Sequence, residues 1–172
     1  GAVELMNRVP TGRTYHQFIN PERDIDADAA RVHGITNEKV AGCPKFAEIA
    51  DDFLHFAEGA ALVIHNAPFD MGFLNYEMGL MEKPTLTHEV VDTLVMARKK
   101  FPGGQVNLDA LCRRFDIDLS ARTYHGALLD AQLLADVYLE LTGGRQPVFE
   151  LDAAGGDSNG EDTTKYKKTV AK

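Results

Sequence analysis

Short apolar, strand-like segments alternate with amphipathic helices along most of this chain, and this order restricts the fold more than any other feature. The strand candidates are "AVELMNRV", "TYHQFI", "AALVIHN" and the start of "HEVVDTLVMARKKF". Apolar residues at helical spacing mark "KFAEIADDFLHFAEG", "FDMGFLNYEMGLM", "NLDALCRRFDI" and "YHGALLDAQLLADVYLEL". Strands interleaved with helices predict an α/β layer architecture, with a β-hairpin around "PTGR" at the front.

Helix-breaking and capping residues set the expected limits of the helices. Gly34 divides "DADAARVHGITNEKV" into two short helices, and Pro44 and Gly59 bracket the helix between them. Asn107 is placed to cap the helix that follows it.

The overall composition fits one folded domain in a reducing compartment. A chain of 172 residues with 44% hydrophobic residues can bury a sizeable core. Cys43 and Cys112 are far apart and belong to no Cys-x-x-Cys or Cys/His cluster, which disfavours zinc and a disulfide framework. We expect a cytoplasmic protein, because the sequence shows neither an 18-residue apolar run nor a signal-peptide pattern.

Charge and the two ends of the chain give further expectations. The net charge of −8 disfavours binding to long nucleic acid by counterion release alone, so metal ions, a few local contacts or a partner would have to supply affinity.

After Gly143 and Gly144 the composition becomes polar, and we expect a folded domain over 1–150 and a flexible tail over 151–172. The start at Gly1, inside a strand-like segment and without methionine, leads us to expect a missing upstream segment.

Two segments carry the residue types of a chemical site. In "VIHNAPFDMGFL", residues 63–74, an apolar strand ends at Ile64 and Asp70 enters the following helix. In "YHGALLDAQLLA", residues 124–135, His125 precedes Asp130 by five positions. Taken alone, each aspartate is explained best as an early helix acid that offsets the helix dipole, and His125 as a cap.

Taken together, the two segments predict two carboxylates in one partly dry cleft, because ligand sites in α/β sheets gather beyond the carboxyl ends of strands. Such carboxylates repel unless a cation neutralises them, and oxygen ligands without sulfur favour Mg²⁺ or Mn²⁺. His125, with an ordinary pKa of about 6.5, would accept a proton from an attacking water. Two cations roughly 4 Å apart would stabilise the attacking and leaving oxygens of a phosphoryl transfer. Two aspartates are too few for two cations, so more acids are required.

These two segments resemble the second and third exonuclease motifs of the DEDDh 3′→5′ exonucleases. The likeness extends through "GAVELMNR", "RVHGIT", "FPGGQVNLDALCRRFDID" and "LELTGG", residues 1 to about 144. At this density the chain is similar to the proofreading epsilon subunits of bacterial DNA polymerase III. The resemblance implies a ribonuclease-H-like exonuclease fold, with a mixed five-stranded sheet flanked by helices.

The resemblance also implies roles for individual residues. Asp70 and Asp130 match two of the four metal-site acids, Asp130 would also face the substrate, and His125 matches the general base. The other matches line the pocket for the 3′-terminal nucleotide: Asp28, Val32, His33, Gly34, Ile35, His65, Asn66 and Phe69. Relatives often have a glutamate at the position of Asp28, where it contacts the terminal sugar. Phe69 would stack or wedge against a base.

The family's first motif, an Asp-x-Glu on the central strand, has no match in this sequence, and Glu4 does not replace it. "GAVEL" corresponds to the strand that follows that motif. A chain that physically begins at Gly1 is therefore expected to lack two metal ligands and the central strand, to be poorly stable and to hydrolyse little or nothing. A longer chain with that strand is expected to be active.

The segment after the double glycine corresponds to the partner-binding region of the family. "RQPVFEL" lies where relatives carry a short peptide for the sliding clamp, and Gln146, Val148 and Phe149 could be its anchors, although a simple apolar end to the domain explains the segment better. The tail beyond it corresponds to the tether to the polymerase catalytic subunit, which would raise the local substrate concentration.

The sequence therefore favours a metal-dependent 3′→5′ exonuclease that removes mispaired nucleotides from the 3′ end of DNA as deoxynucleoside 5′-monophosphates. Two alternatives remain open. The first is a DEDDh exonuclease that acts on RNA or in repair. The second is a non-catalytic module that bridges polymerase and clamp.

Overall fold

The computed structural model describes residues 1–120, 126–144 and 168–171. The predicted alternation of strands and helices is confirmed there. The elements are, in chain order, β1 (Ala2–Met6), β2 (Val9–Tyr15), α1 (Ala27–His33), α2 (Asn37–Val40), α3 (Phe46–Ala57), β3 (Ala61–Ile64), α4 (Ala67–Leu80), β4 (Val90–Asp92), α5 (Thr93–Lys100), α6 (Leu108–Arg114), α7 (Ala127–Leu141) and β5 (Lys168–Ala171).

The hairpin of β1 and β2 is confirmed, but its predicted turn at "PTGR" is wrong. Met6 pairs with Val9, so the turn consists of Asn7 and Arg8. Their φ angles of 51° and 68° are both positive, as a type I′ turn requires, and this turn matches the twist of the two strands. Residues 10–13 lie inside β2. β2 is an edge strand, where proline is tolerated.

The strands form one mixed five-stranded sheet in the order β2-β1-β5-β3-β4. β3 pairs in parallel with β4 and with β5, whereas β1 pairs antiparallel with β2 and β5. The sheet was expected to lack its central strand, but β5 fills that position. The prediction of a flexible tail over 151–172 is therefore wrong for residues 168–171. The reason is that, without β5, β1 and β3 would each present unpaired backbone N–H and C=O groups toward the space between them. Thr169 and Val170 are residue types that favour strands, so their segment can pair with both.

Helices cover both faces of the sheet. On one face, Phe56 and Ala57 of α3 pack with Ala2 and with Leu62 and Ile64 of β3. On the other face, Ala131 and Ala135 of α7 pack with Val3, Leu5 and Val63. Neighbouring strand residues thus alternate between the two layers, as the period of two in a strand requires. The predicted α/β layer architecture is confirmed.

A third cluster fixes α7 from its outer side. Ala97 of α5, Leu111 and Cys112 of α6, and Leu133 and Val137 of α7 pack together, and all are buried. Asn107 caps α6 as predicted, since its side chain accepts a hydrogen bond of 2.8 Å from the Ala110 N–H. No helix in the described part of the chain is long and apolar enough to cross a membrane.

The turn between β1 and β2 gives a prediction about stability. A side chain at φ 68° is strained, and a non-glycine residue in the left-handed region costs about 1 kcal/mol relative to glycine. Because the Arg8→Gly and Arg8→Ala variants both lack the bond from Arg8 to the Thr142 carbonyl, their comparison isolates this strain. We expect the glycine variant to have the higher free energy of unfolding in urea. An alanine variant of equal or greater stability would contradict the assigned turn.

Candidate active site

A cavity of about 540 Å³ lies at the carboxyl end of β3, between the first turns of α4, α6 and α7. The described residues that line it are Gly1, His65, Asp70, Asn107, Leu108, Asp109, Arg113, Ala127, Asp130 and Leu134. Asp70 and Asp130, the two aspartates of the predicted cleft, are both among these lining residues.

The local structure of the β3–α4 connection explains the position of Asp70. β3 is fully buried and ends at Ile64, and the chain then turns through Asn66, which has a left-handed backbone with φ 69°. Asparagine adopts this conformation more readily than most residues. Pro68 follows in the first turn of α4, where its missing N–H removes no helical hydrogen bond. Asp70 lies at the end of that turn, half-buried.

The position of Asp130 depends on how closely α7 approaches β1. Gly126 caps α7, and the Asp130 N–H donates to the Gly126 carbonyl over 2.8 Å, which places Asp130 in the first turn. Gly1 lies against the same turn, so that a Cβ atom on Gly1 would be only 2.7 Å from the Ala127 carbonyl carbon. A residue with a side chain at position 1 would push α7 away from the sheet. The glycine is therefore what lets the start of α7 close one wall of the cavity.

His65 is held rigidly at the edge of the cavity. Its Nδ1 lies 2.9 Å from Oγ1 of Thr93, a residue with no exposed surface, and the backbone of Val106 makes a further hydrogen bond to the ring. Burial lowers the pKa of His65, while the nearby carboxylate of Asp92 and the bond to Val106 act to raise it. The ring is therefore neutral at pH 7 and can donate or accept one hydrogen bond at each nitrogen.

The acidic lining has the chemistry of a site for a hard cation. Asp70, Asp109 and Asp130 all line the cavity, and no cysteine is among the described lining residues. Within the described ranges no three His, Cys, Asp or Glu side chains gather closely enough to hold a metal ion by themselves. Mg²⁺ commonly binds one or two carboxylates and takes its other ligands from water and phosphate. The described residues therefore fit part of the coordination sphere of a divalent cation.

Several other residues predicted for the site do not line this cavity. Asp28, Val32, His33, Asn66 and Phe69 are not among the residues that line this cavity. Asp28 is exposed on α1 and pairs with Arg31, and Nδ1 of His33 accepts from the Ile35 N–H over 3.1 Å. Phe69 is 62% exposed on the outer side of α4. Their roles stay predictions.

Two predicted sets fall outside the described residues: His125, and the segment from Gln146 to Phe149. Nothing in the described structure bears on either. Gly126, the neighbour of His125, is described and lies at the start of α7.

The structure adds cavity residues that the sequence did not indicate. Asp109 and Arg113 of α6, with its cap Asn107, are among the residues that line the cavity. In the sequence, Asp109 is one more acid in the first turn of a helix and Arg113 one more base in a last turn, as is usual for ordinary helices. Only the packing of α6 against α7 brings them to the cavity.

Known exonucleases match most of this chain. A family profile described as exonuclease matches residues 1–138. The DNA polymerase III subunit epsilon of Rickettsia felis is 54% identical over 155 residues, which cover 88% of this chain and 68% of that protein. The DNA polymerase III subunit epsilon of Escherichia coli is 48% identical over 168 residues, covering 95% of this chain and 69% of that protein. The chain thus spans about two thirds of the length of these relatives.

A solved structure gives an independent comparison of the fold. Exonuclease X, determined in complex with 5′ overhanging duplex DNA, superposes with a TM-score of 0.60 at 23% sequence identity. The superposition covers 81% of this chain and 81% of that one. At this identity the likeness concerns the fold alone, and it agrees with a sheet flanked by helices on both faces.

The buried ring of His65 gives a prediction about pH. Its folded-state pKa is lowered by burial, so the unfolded chain, with an ordinary value of about 6.5, binds a proton more readily. The free energy of unfolding should therefore fall as the pH drops through about 6.5. The His65→Gln variant should lose this part of the pH dependence, measured by urea unfolding between about pH 5 and pH 7.5.

The control for this measurement is His16→Gln, which replaces an exposed histidine. It should keep the pH dependence of the unchanged chain. Identical pH profiles for the unchanged chain and the His65→Gln variant would show that His65 is not held neutral by the fold.

Proposed function

We propose that this chain is a metal-dependent 3′→5′ exonuclease that proofreads newly made DNA. The proposal follows from its family: the chain belongs to the exonuclease family, in the branch of the DNA polymerase III epsilon subunits. It hydrolyses the last phosphodiester bond of a primer and releases a deoxynucleoside 5′-monophosphate. The observation that carries the proposal is that Asp70 and Asp130, from two separate motifs, line one cavity.

Members of this family use divalent metal ions, and we assign two, Mg²⁺ or Mn²⁺, to this chain. Asp70 and Asp130 would supply part of their ligands as oxygen donors, which suits hard cations. When bound, two such cations would stabilise the negative charge that develops on the attacking and leaving oxygens.

The remaining steps belong to side chains of the chain itself. His125 accepts the proton of the attacking water, since an imidazole is basic enough near neutral pH. Arg113, the arginine among the described lining residues, is placed to donate to a phosphate oxygen of the substrate. His65 keeps its ring at the cavity edge through Thr93 and orients the terminal nucleotide. Each of these roles requires a single strand inside the cavity.

Selectivity for errors follows from this requirement. A mismatched 3′ end separates from its template at lower cost than a paired end, so it enters the cavity more often. Asp28, Val32, His33 and Asn66 complete the pocket for the terminal nucleotide. The rings of Phe69 and Phe73 lie 5.0 Å apart at an edge-to-face angle of 66°. Because exposed aromatic rings are suited to stack on unpaired bases, Phe69 would contact a strand that extends from the cavity across α4.

Removal of either motif aspartate tests the proposal directly. We expect Asp70→Asn and Asp130→Asn to lower nucleotide release from 3′-labelled single-stranded DNA in Mn²⁺ at least about a hundredfold, because each removes a charged ligand worth several kcal/mol in the transition state. Asp136→Asn is the matched control, since Asp136 is exposed on the same helix α7. It should leave the rate unchanged.

The assay is run on this chain and on the same chain preceded by a strand with the Asp-x-Glu motif. Release that depends on both aspartates in either form supports the proposal. Release that survives both substitutions, or no release from either form, contradicts it.

We further propose that residues 1–150 form the exonuclease domain, to whose sheet β5 also belongs, and that the remaining part of the segment after residue 150 connects the domain to the polymerase catalytic subunit in the cytoplasm. The segment from Gln146 to Phe149 would bind the sliding clamp. Such attachment compensates for the weak electrostatic attraction between DNA and a chain of net charge −8. It keeps the nuclease close to each new primer end.

The clamp-binding segment gives a separate prediction. A double variant, Gln146→Ala with Phe149→Ala, should weaken binding to a bacterial sliding clamp at least about tenfold, because aromatic anchors carry much of the affinity of small interfaces. Surface plasmon resonance measures this affinity. Tyr166→Ala, which changes an aromatic residue of the tail outside the segment, should bind like the unchanged chain. If the double variant binds the clamp with the same affinity as the unchanged chain, the segment from Gln146 to Phe149 is not the clamp-binding site.

A further inference from the structure

Two neighbouring residues at the end of β4 hold the whole connection between β3 and α4. We propose that Asp92 and Thr93, here called the brace, are positioning residues that fix Asp70 and His65 in the cavity. This inference rests on the proposed exonuclease function for its catalytic consequence. The geometry of the brace itself is independent of that function.

The brace contacts four consecutive residues. Thr93 Oγ1 lies 3.3 Å from the Ile64 carbonyl and 2.9 Å from Nδ1 of His65. Asp92 accepts the Asn66 N–H with Oδ1 and the Ala67 N–H with Oδ2, both over 3.2 Å. Ile64 and Asp92 are also direct partners in the parallel pairing of β3 and β4. The connection is therefore attached at every residue as it leaves the sheet.

The carboxylate of Asp92 serves two helices at once. Its Oδ1 caps α5 by accepting the Leu94 and Val95 N–H groups over 2.8 and 3.4 Å. The other helix, α4, has no side-chain cap of its own at Asn66. Asp92 supplies the missing acceptor from the next strand, and its negative charge lies at the positive end of both helix dipoles.

This arrangement determines where Asp70 points. Asp70 lies three residues after Ala67, in the first turn of α4. That turn starts from Asn66, whose left-handed backbone persists only where surrounding contacts hold it. Without the carboxylate of Asp92, the Asn66 and Ala67 N–H groups lose their acceptors and the first turn can shift. A shift of that turn moves Asp70 relative to Asp130 on α7.

Thr93 acts on His65 in a similar way. It is fully buried, so its hydroxyl group must be satisfied inside the protein. The hydroxyl holds one nitrogen of His65, and the bond from the ring to the Val106 backbone holds the ring from another element. Thr93→Val keeps the branched shape of the side chain and replaces the hydroxyl group, with both of its hydrogen bonds, by a methyl group.

Amide hydrogen exchange measured by NMR on the full chain tests the brace without catalysis. In Asp92→Ala, the amides of Asn66 and Ala67 should exchange at least about tenfold faster, with other α4 amides less affected. Asp92→Asn keeps one oxygen acceptor and should expose the Ala67 amide more than the Asn66 amide. Leu141→Ala is the control for general destabilisation, because Leu141 is buried at the far end of α7.

The nuclease assay supplies the second readout. Asp92→Ala should lower kcat by about 10- to 100-fold with little change in KM, as expected when the support of a metal ligand is lost. Thr93→Val should lower kcat less. Leu141→Ala, at equal loss of melting temperature, should retain most of its activity.

The possible results separate the two proposals. Unchanged exchange at Asn66 and Ala67 in Asp92→Ala, or equal acceleration in Leu141→Ala, would overturn the brace. Faster exchange with unchanged kcat in an active protein would overturn its role in positioning Asp70. If no form of the protein releases nucleotide, the proposed function fails, and the exchange data alone decide whether the brace exists.

Discussion

The close packing of α7 on the sheet is the constraint on which the site depends. Ala131 and Ala135 are buried against Val3, Leu5 and Val63, and their small side chains let the helix lie close to β1 and β3. Gly1 extends this close contact to the first turn of α7. Asp130 immediately precedes Ala131, so the packing that buries the alanine also sets the carboxylate beside the carboxyl end of β3. The core and the cavity therefore both depend on the position of α7.

The charge of the protein is concentrated in a way that suits cations better than DNA. Three aspartates line one cavity in a chain whose net charge is −8. Bringing such carboxylates together raises the electrostatic energy of the folded state unless positive charge compensates it. Arg113 of α6 is the one basic residue among the described residues that line the cavity with them. Bound divalent cations would offset the negative charge of the aspartates and of a substrate phosphate. This would allow an acidic protein to act on an acidic polymer.

The sequence predicted the helices and the α/β layers, because these depend on local periodicity. It placed the hairpin turn wrongly, since the proline and glycine of "PTGR" are stronger turn signals than Asn7 and Arg8. It also missed β5, because pairing between residues 168–171 and two distant strands leaves no local pattern. In the sequence, Asp92 has the position of an ordinary helix cap, directly before α5. Its bonds to Asn66 and Ala67 join segments 25 or more positions apart.

The most direct test of a cation site shared by Asp70 and Asp130 is to locate the residues at which a divalent cation binds. Mn²⁺ broadens the NMR signals of nearby amides, so it can be titrated into the isotopically labelled chain and the affected residues read from the spectrum. We expect broadening to begin together at residues 65–70 and 126–131, and to disappear from both segments when Asp130 is replaced by alanine. Broadening confined to exposed acids such as Asp24, Asp26 and Asp51, or loss at one segment only, would contradict a shared site.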